Sequence, residues 1–424
     1  MHASTLVTAG VFLLIRSSPL LEYSSTVLLL SLWAGALTSV FSSLVGLFQN
    51  DIKKIIAFST SSQLAGMFLA IGLSSYNIAL YHLIQHAFYK SALFLGAGSV
   101  LHSVADNQDL RKMGGLRRYL PVTYPCMLIA SFSLIAFPWL SGFYSKDLIL
   151  ESALGAFSVS GVAIYAINLL GAIFTTVYSL KILYFAFLSW PLGPKENYKN
   201  GSSLLSWTEG SKEGGWIMIV PLVVLSLLSI LFGYLTRDYF VGLGTGFFVD
   251  NSIWNHPSHE ILISTEFGNP GFFKLLPLIY TIVFSVLAIV LFEFYPKFFI
   301  YVKFSNIGLG RAVCWFFNHK ALIDMLYSNL IVNKVLTAGG HINRILDRGV
   351  YEIVGISGLE KNFFKYSKFL HSFSTAHVTT YGLYILIGFV FFSIVWSMLE
   401  SLQVIIFSII FIVILGSDYS NNEE

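Results

Sequence analysis

"HLIQHAFYKSALFLGAG", His82–Gly98, places two histidines and a lysine four residues apart inside an apolar run that extends from 76 to 104. A run of that length crosses a bilayer as a helix. In a helix, His82, His86 and Lys90 each advance about 40° and climb roughly 6 Å per step, forming one stripe about 12 Å long. A cationic lysine at mid-bilayer costs about 2.5–3.5 kcal/mol on insertion scales. Burial favours the neutral amine, which then exchanges protons with its surroundings, and imidazole does so near neutrality. Two readings follow. The stripe is a water-bridged proton relay, or the histidines bond neighbouring hydroxyls while Lys90 snorkels. Lys90 stands in the middle of its segment, where snorkelling is strained.

The rest of the chain agrees with a membrane setting. Its 424 residues are 55% hydrophobic and 11% charged, where a soluble domain carries about 25% charge. A net charge of +3 gives no reason to expect nucleic acid. Cys126 and Cys314 form neither a metal nor a disulfide pattern. No Gly-rich phosphate loop, iron–sulfur cysteine cluster or haem motif is visible, so no cofactor or metal is expected on this chain.

Apolar segments fall near 3–15, 26–48, 52–73, 76–104, 121–157, 159–189, 216–236, 275–295 and 378–398, with a weaker one at 402–416. Backbone groups in lipid bond within their own segment, and the alternation of a membrane barrel is absent. The expected fold is an all-α polytopic membrane protein of about nine or ten crossings. Numbering the sides alternately puts Lys53, Lys54, Arg111, Lys112, Arg117, Arg118, Lys195, Lys199, Lys212, Lys297, Lys303 and Arg311 on one side. Only Arg16, Arg237 and Lys274 fall on the other. The basic side is therefore expected to face the matrix or cytoplasm.

Two segments depart from a plain crossing. The stretch 121–157 is too long for one straight helix, and its middle, "FPWLSGFYSKD", holds Pro138, Gly142, Lys146 and Asp147. It predicts a broken helix, tolerated where it is packed in protein or lines water. Lys146 and Asp147 are then either a second protonatable site or an interfacial ion pair. Residues 308–370 are too charged to span, yet Leu322, Met325, Leu326, Leu330, Val332, Val335 and Leu336 recur at helical spacing. They predict a long amphipathic helix along the basic side, with a surface loop of short helices as the alternative and with Gly339 and Gly340 as its points of bending. Ser59, Thr60, Ser61, Ser62 and Gln63 either hold water near the relay or bond helix carbonyls. Lys181 is expected to snorkel, Glu400 to lie at the interface, and His2 is a further polar point at the head of the first segment.

The segments "HASTLVTAGVFLLIRSSPL", "DIKKIIAFSTSSQLAGMFLAIGL", "HLIQHAFYKSALFLGAGSVLH", "QDLRKMGGL" and "GFYSKDLILE" together resemble the antiporter-like membrane subunits of respiratory complex I, in a mitochondrial form. The resemblance covers nearly the whole chain. It implies two inverted five-helix repeats, each with a broken helix and a central lysine. Residues 26–189 are similar to the second repeat and 1–25 to the bridging helix left from the first. Residues 190–307 would hold two further crossings with loops. A branch of the family also carries a matrix-side lateral helix, matching 308–370, with an anchor and tail at 371–424.

On this resemblance Lys90 is the central lysine, His82 and His86 its hydrating histidines, Lys146 with Asp147 the terminal lysine of the broken helix, and His2 the histidine that bridges the repeats. The family's first repeat, with its glutamate and lysine, is absent from this sequence, so either the sequence is a fragment or the subunit is divided, and a separate partner chain carrying that half is expected. The implied function is proton translocation in the inner mitochondrial membrane, coupled to NADH oxidation by ubiquinone. FMN and iron–sulfur clusters would sit on other subunits. Expected partners are other membrane-arm chains, including antiporter-like neighbours met by the lateral helix, and lipids. The alternatives are a subunit of a multi-subunit cation/proton antiporter, or a structural brace without conduction.

Overall fold

In the computed structural model, the described residues are 2–104, 106–190, 213–245, 253–295, 308–398 and 408–411. The chain forms two units, Met1–Met325 and Leu326–Glu424. Lys195, Lys199, Lys212, Lys297, Lys303, Glu400 and the segment 402–416 apart from 408–411 lie outside the described residues.

Helix starts in the first unit follow local capping chemistry. Helix α1 is Leu6–Arg16. Helix α2, Ser25–Phe48, is capped by Ser24, whose hydroxyl accepts from the Val27 amide. Helix α3, Ile52–Gly72, is capped by Asp51, and α4 is Tyr76–Ser103. Such side-chain oxygens satisfy amides that have no partner within the helix. Helix α5, Thr123–Ile135, and α6, Ser141–Gly155, are the two halves of the expected broken helix. Between them Ala136 and Trp139 take positive φ of 68° and 66°, and Pro138 has no amide hydrogen to continue the ladder.

Helix α7, Val159–Leu183, starts on a Ser158 cap. Helix α8 is Trp216–Val241 and α9 is Gly271–Phe294. A short helix α10, Gly308–Asn318, follows.

Six helices are long and apolar enough to cross a membrane among the described residues: α2, α3, α7 with its continuation to Leu188, α8, α9 and Val378–Trp396. Helix α4 has 28 residues, or about 42 Å, ample for a crossing. Its histidines, glutamine and lysine lower its apolar character. The 11-residue α1 is too short to cross alone. No strand occurs among the described residues beyond one isolated bridge between Asp51 and Asp109.

Helix α4 is central, packed by α3, α5, α6 and α8. Close approach relies on small residues: a side-chain carbon at Gly35 of α2 would stand 2.7 Å from the Ala65 carbonyl oxygen of α3. Apolar side chains form two clusters. One holds Ile52, Ile55, Leu93, Val100, Met113 and Met127. The other holds Val11, Leu32, Met67, Ile71, Tyr81 and Ile164. Between them lies a polar layer that includes Ser39, Ser59, Ser62, His82, Gln85, His86, Lys90, Ser133 and Ser145, all buried.

The basic end is tied together by backbone pairing: Ile52 N–H donates to Gln108 O at 3.1 Å and Leu110 N–H to Asn50 O at 2.9 Å. There Lys181 reaches the end of its helix, but it does not finish in solvent as snorkelling requires. Its ammonium donates to the Leu47 and Gln49 carbonyls at 3.0 and 2.6 Å. A cation at these free carbonyls complements the helix C-terminus.

In the second unit, 328–354 is helical in successive segments, Ser328–Val332, Asn333–Ile342, Asn343–Tyr351 and Glu352–Val354. The helix passes through Gly339 and Gly340 rather than bending there, since glycine weakens a helix without forbidding it. The interruption falls instead at Gly355, whose backbone is extended. Helix α11, Ile356–Ser372, and α12, Val378–Met398, complete the unit. The predicted single long helix is thus a series of pieces. Leu330, Val335, Leu336, Ile342, Ile345 and Leu346 are exposed along it.

Candidate functional site

Helical spacing brings His82, His86 and Lys90 onto one stripe of α4, and all three are buried, Lys90 and His86 completely. The His82 and His86 rings are 6.4 Å apart, centre to centre. Lys90 Nζ donates to the Ser59 hydroxyl on α3. His82 Nδ1 shares a hydrogen bond of 2.9 Å with Ser145 on α6. Both ring nitrogens of His86 lack a protein partner among the described residues. A buried polar group in that state is ordinarily met by water.

The helix break positions Lys146. Gly142 packs so tightly on the end of α5 that an added side-chain carbon would lie 1.7 Å from the Ser133 carbonyl oxygen. The Ser133 hydroxyl accepts from the Gly142 amide at 3.2 Å and pairs with Ser141 at 2.9 Å. One turn further on, the Lys146 ammonium donates to Thr175 Oγ1 at 3.0 Å and to the Leu134 carbonyl at 3.5 Å. It thus stands at the negative end of the α5 half-helix, where a cation is favoured. Asp147 is buried beside it.

Two cavities flank this set. One of about 40 Å³ is lined by Ser39, Ser62, His82, Lys146, Asn168 and Thr175 among others. The other, about 10 Å³, lies toward the basic side and touches Ser59, Ser131, Tyr178 and Ser179. A water needs roughly 10–15 Å³ on this scale and two to four polar partners, so the first has room and polar groups for water and the second is at the limit.

Among the sequence-predicted residues, the structure brings together His82, His86, Lys90, Lys146 and Asp147. His2 stands exposed in a short turn before α1 and is not drawn into the cluster. In the hydroxyl-rich patch, Ser59 meets Lys90 and Gln63 lines the larger cavity, while Thr60 bonds the Ile56 carbonyl and Ser62 the Ser39 carbonyl across helices.

Ser145, Thr175, Ser39 and Asn168 were not legible as site residues. Ser145 had a signal, since it precedes Lys146 in the helix-break motif; the others lie in otherwise apolar helices. A further polar cluster at the opposite end was also missed. Glu22 accepts from Tyr76 Oη at 2.8 Å and meets His259 Nδ1 at 2.7 Å. Burial raises its carboxyl, but hydrogen bonds from His259, Ser74, Tyr76 and the His256 backbone outweigh that and hold it below the ordinary value.

Residues 1–175 match the family described as "NADH:quinone oxidoreductase/Mrp antiporter, TM". The chain is 59% identical, over 93% of its length, to NADH-ubiquinone oxidoreductase chain 5 of Cryphonectria parasitica. It is 55% identical to the protein of that name from Neurospora crassa and 49% to that from Rhizopus stolonifer, over 92% of its length in each case. It spans 58% of the length of each of these relatives. Among solved structures it is similar to a chain of an Mrp complex from Dietzia sp. DQ12-45-1b, with a TM-score of 0.42 and 20% identity over 53% of this chain and 49% of that one. Residues 1–175 thus match the NADH:quinone oxidoreductase/Mrp antiporter transmembrane family, and the chain is similar over more than nine-tenths of its length to part of the proteins named NADH-ubiquinone oxidoreductase chain 5.

Proposed function

We propose that this chain is part of a proton-translocating membrane-arm subunit of respiratory complex I in the mitochondrial inner membrane. The observation that carries the reading is Lys90. It is fully buried at the centre of α4, within a polar layer closed above and below by apolar clusters. A structural brace gains nothing from an amine in that position. The relatives named NADH-ubiquinone oxidoreductase chain 5 match over more than nine-tenths of this chain, which favours complex I over a stand-alone cation/proton antiporter.

On this reading, NADH oxidation by ubiquinone takes place on other subunits, which hold FMN and the iron–sulfur clusters, and no redox or metal site lies on this chain. The residues here move protons. A proton leaving Lys90 Nζ passes through water to His86, then to His82, then through the larger cavity to Lys146 once that lysine has released its own proton and become the neutral amine. Each imidazole gains a proton on one nitrogen and releases one from the other, so both end neutral. Lys90 is reprotonated past Ser59. Asp147 offsets the charge of Lys146. Moving each charge against the membrane field costs about 2.3 kcal/mol per 100 mV, supplied by electrostatic changes in neighbouring subunits.

The partners are other membrane-arm chains, including an antiporter-like neighbour along 308–370, and lipids. Helices α1 and α2 offer an apolar face to such partners, with Leu6, Leu13 and Leu30 exposed. The test is Lys90→Met in the assembled complex in liposomes. Proton uptake per NADH oxidised is expected to fall at least about tenfold. Pumping at the parental rate would overturn the reading.

A further inference from the structure

Helix α7 places Asn168, Gly171, Ala172 and Thr175 on one face, at intervals of three, one and three residues. All four line the cavity that holds His82 and Lys146. The two middle positions are small, so the wall is hollow between its polar ends. Gly66 on α3 deepens the hollow, because a side-chain carbon there meets nothing within 4 Å. Thr175 is already committed to the Lys146 ammonium. Asn168, about 10 Å further along the helix axis, has no such ionic partner. Its Oδ1 meets the Ser39 hydroxyl on α2, and its Nδ2 donates to the Ile164 carbonyl at 3.1 Å. Ser39 is held in turn, since its carbonyl accepts from Ser62 at 3.1 Å. An amide has two acceptor sites and two donor hydrogens, so one of each on Asn168 is left for the cavity.

We propose that Asn168, braced by Ser39, is a positioning residue that orders the water linking His82 to Lys146. This deepens the proton-translocation reading and rests on it. The cavity is large enough for water, but Ile149, Leu150, Gly171 and Ala172 give part of its wall no hydrogen-bonding side chain. A water chain in such a space needs a fixed donor and acceptor at the end away from the lysine, or its orientation is left undefined. The Asn168 amide, set on a rigid helix and tied to a second one, supplies both. Leucine has the same branched shape and number of side-chain heavy atoms and neither capacity.

The experiment compares Asn168→Leu, Asn168→Thr and Lys146→Met in the assembled complex in liposomes, reading protons moved per NADH oxidised. Asn168→Leu is expected to lower that ratio on the order of tenfold, and Asn168→Thr, which restores a hydroxyl, to recover most of the loss. Equal losses in the leucine and threonine variants would overturn the proposal, and so would a leucine variant that pumps at the parental ratio while Lys146→Met does not. If Lys146→Met also pumps normally, the translocation reading itself fails and this proposal falls with it. Where the leucine variant fails to assemble, a density map of the parental complex decides: ordered water within hydrogen-bond reach of Asn168 supports the assignment, and a dry cavity overturns it.

Discussion

At Glu22, the balance between burial and hydrogen bonding gives a measurable acid dependence. Its side chain is inaccessible to solvent, while its partner His259 remains partly exposed. Its carboxyl is held below the ordinary 4.5 because hydrogen bonds outweigh burial. The folded protein therefore protonates this group at lower pH than the unfolded chain does. Its contribution is complete above about pH 4.5 and is lost as pH falls through the folded value. Glu22→Gln is expected to remove that acid-sensitive part and to destabilise the segment 253–260 at neutral pH by about 1–3 kcal/mol. Amide hydrogen exchange across those residues, followed from pH 7 to 4, reads both effects. Unchanged exchange in the variant at pH 7 would show that the carboxylate does not fasten this segment. The cluster escaped the sequence reading because its members are scattered: Glu22, Tyr76 and His259 lie in three separate connections or helix starts.

At the scale of the helix, the break between α5 and α6 depends on one missing side chain. A carbon added at Gly142 would lie 1.7 Å from a backbone oxygen, and backbone yields less readily than the end of a flexible side chain. Gly142→Ala is expected to destabilise the pair by about 1–3 kcal/mol and to move Lys146 away from Thr175. The first is read as a lower unfolding temperature of the purified complex, the second as reduced pumping per NADH. A variant with parental values for both would mean that the break tolerates a methyl group after all. This element was legible in advance because Pro138, Gly142 and two charges interrupt an apolar run, and few structures satisfy all of them at once. The buried stripe of His82, His86 and Lys90 was legible for a similar reason, since a four-residue spacing of titratable groups has only one face to occupy. What the sequence did not reveal is which hydroxyls from other helices meet the stripe. Serine and threonine serve equally as helix back-bonders, and only the packed structure separates Ser59 and Thr175, which meet lysines, from Ser42 and Thr176, which bond their own helices.

At the scale of the whole first unit, charge and contacts fix the two ends independently. The loops bearing Lys53 and Arg111 are joined by backbone hydrogen bonds. Glu213, just before α8, caps the start of α5 by accepting from the Val122 and Thr123 amides at 2.6 and 3.0 Å. These contacts put the basic connections at one end, as the loop charges require. The other end is gathered by Glu22, Tyr76 and His259, with Tyr23 stacked on Trp254 at 5.8 Å. A membrane-impermeant thiol reagent distinguishes the two. In a background of Cys126→Ser and Cys314→Ser, Arg118→Cys is expected to react from one side only of sealed vesicles, the side that the basic loops face. Tyr23→Cys, at an exposed position, is expected to react only from the opposite side. Labelling of both from one side would break the alternation on which the crossing assignment rests, and with it the placement of Lys90 at mid-depth. Opposite labelling would leave the buried lysine with a defined face toward each compartment, which a vectorial proton relay requires.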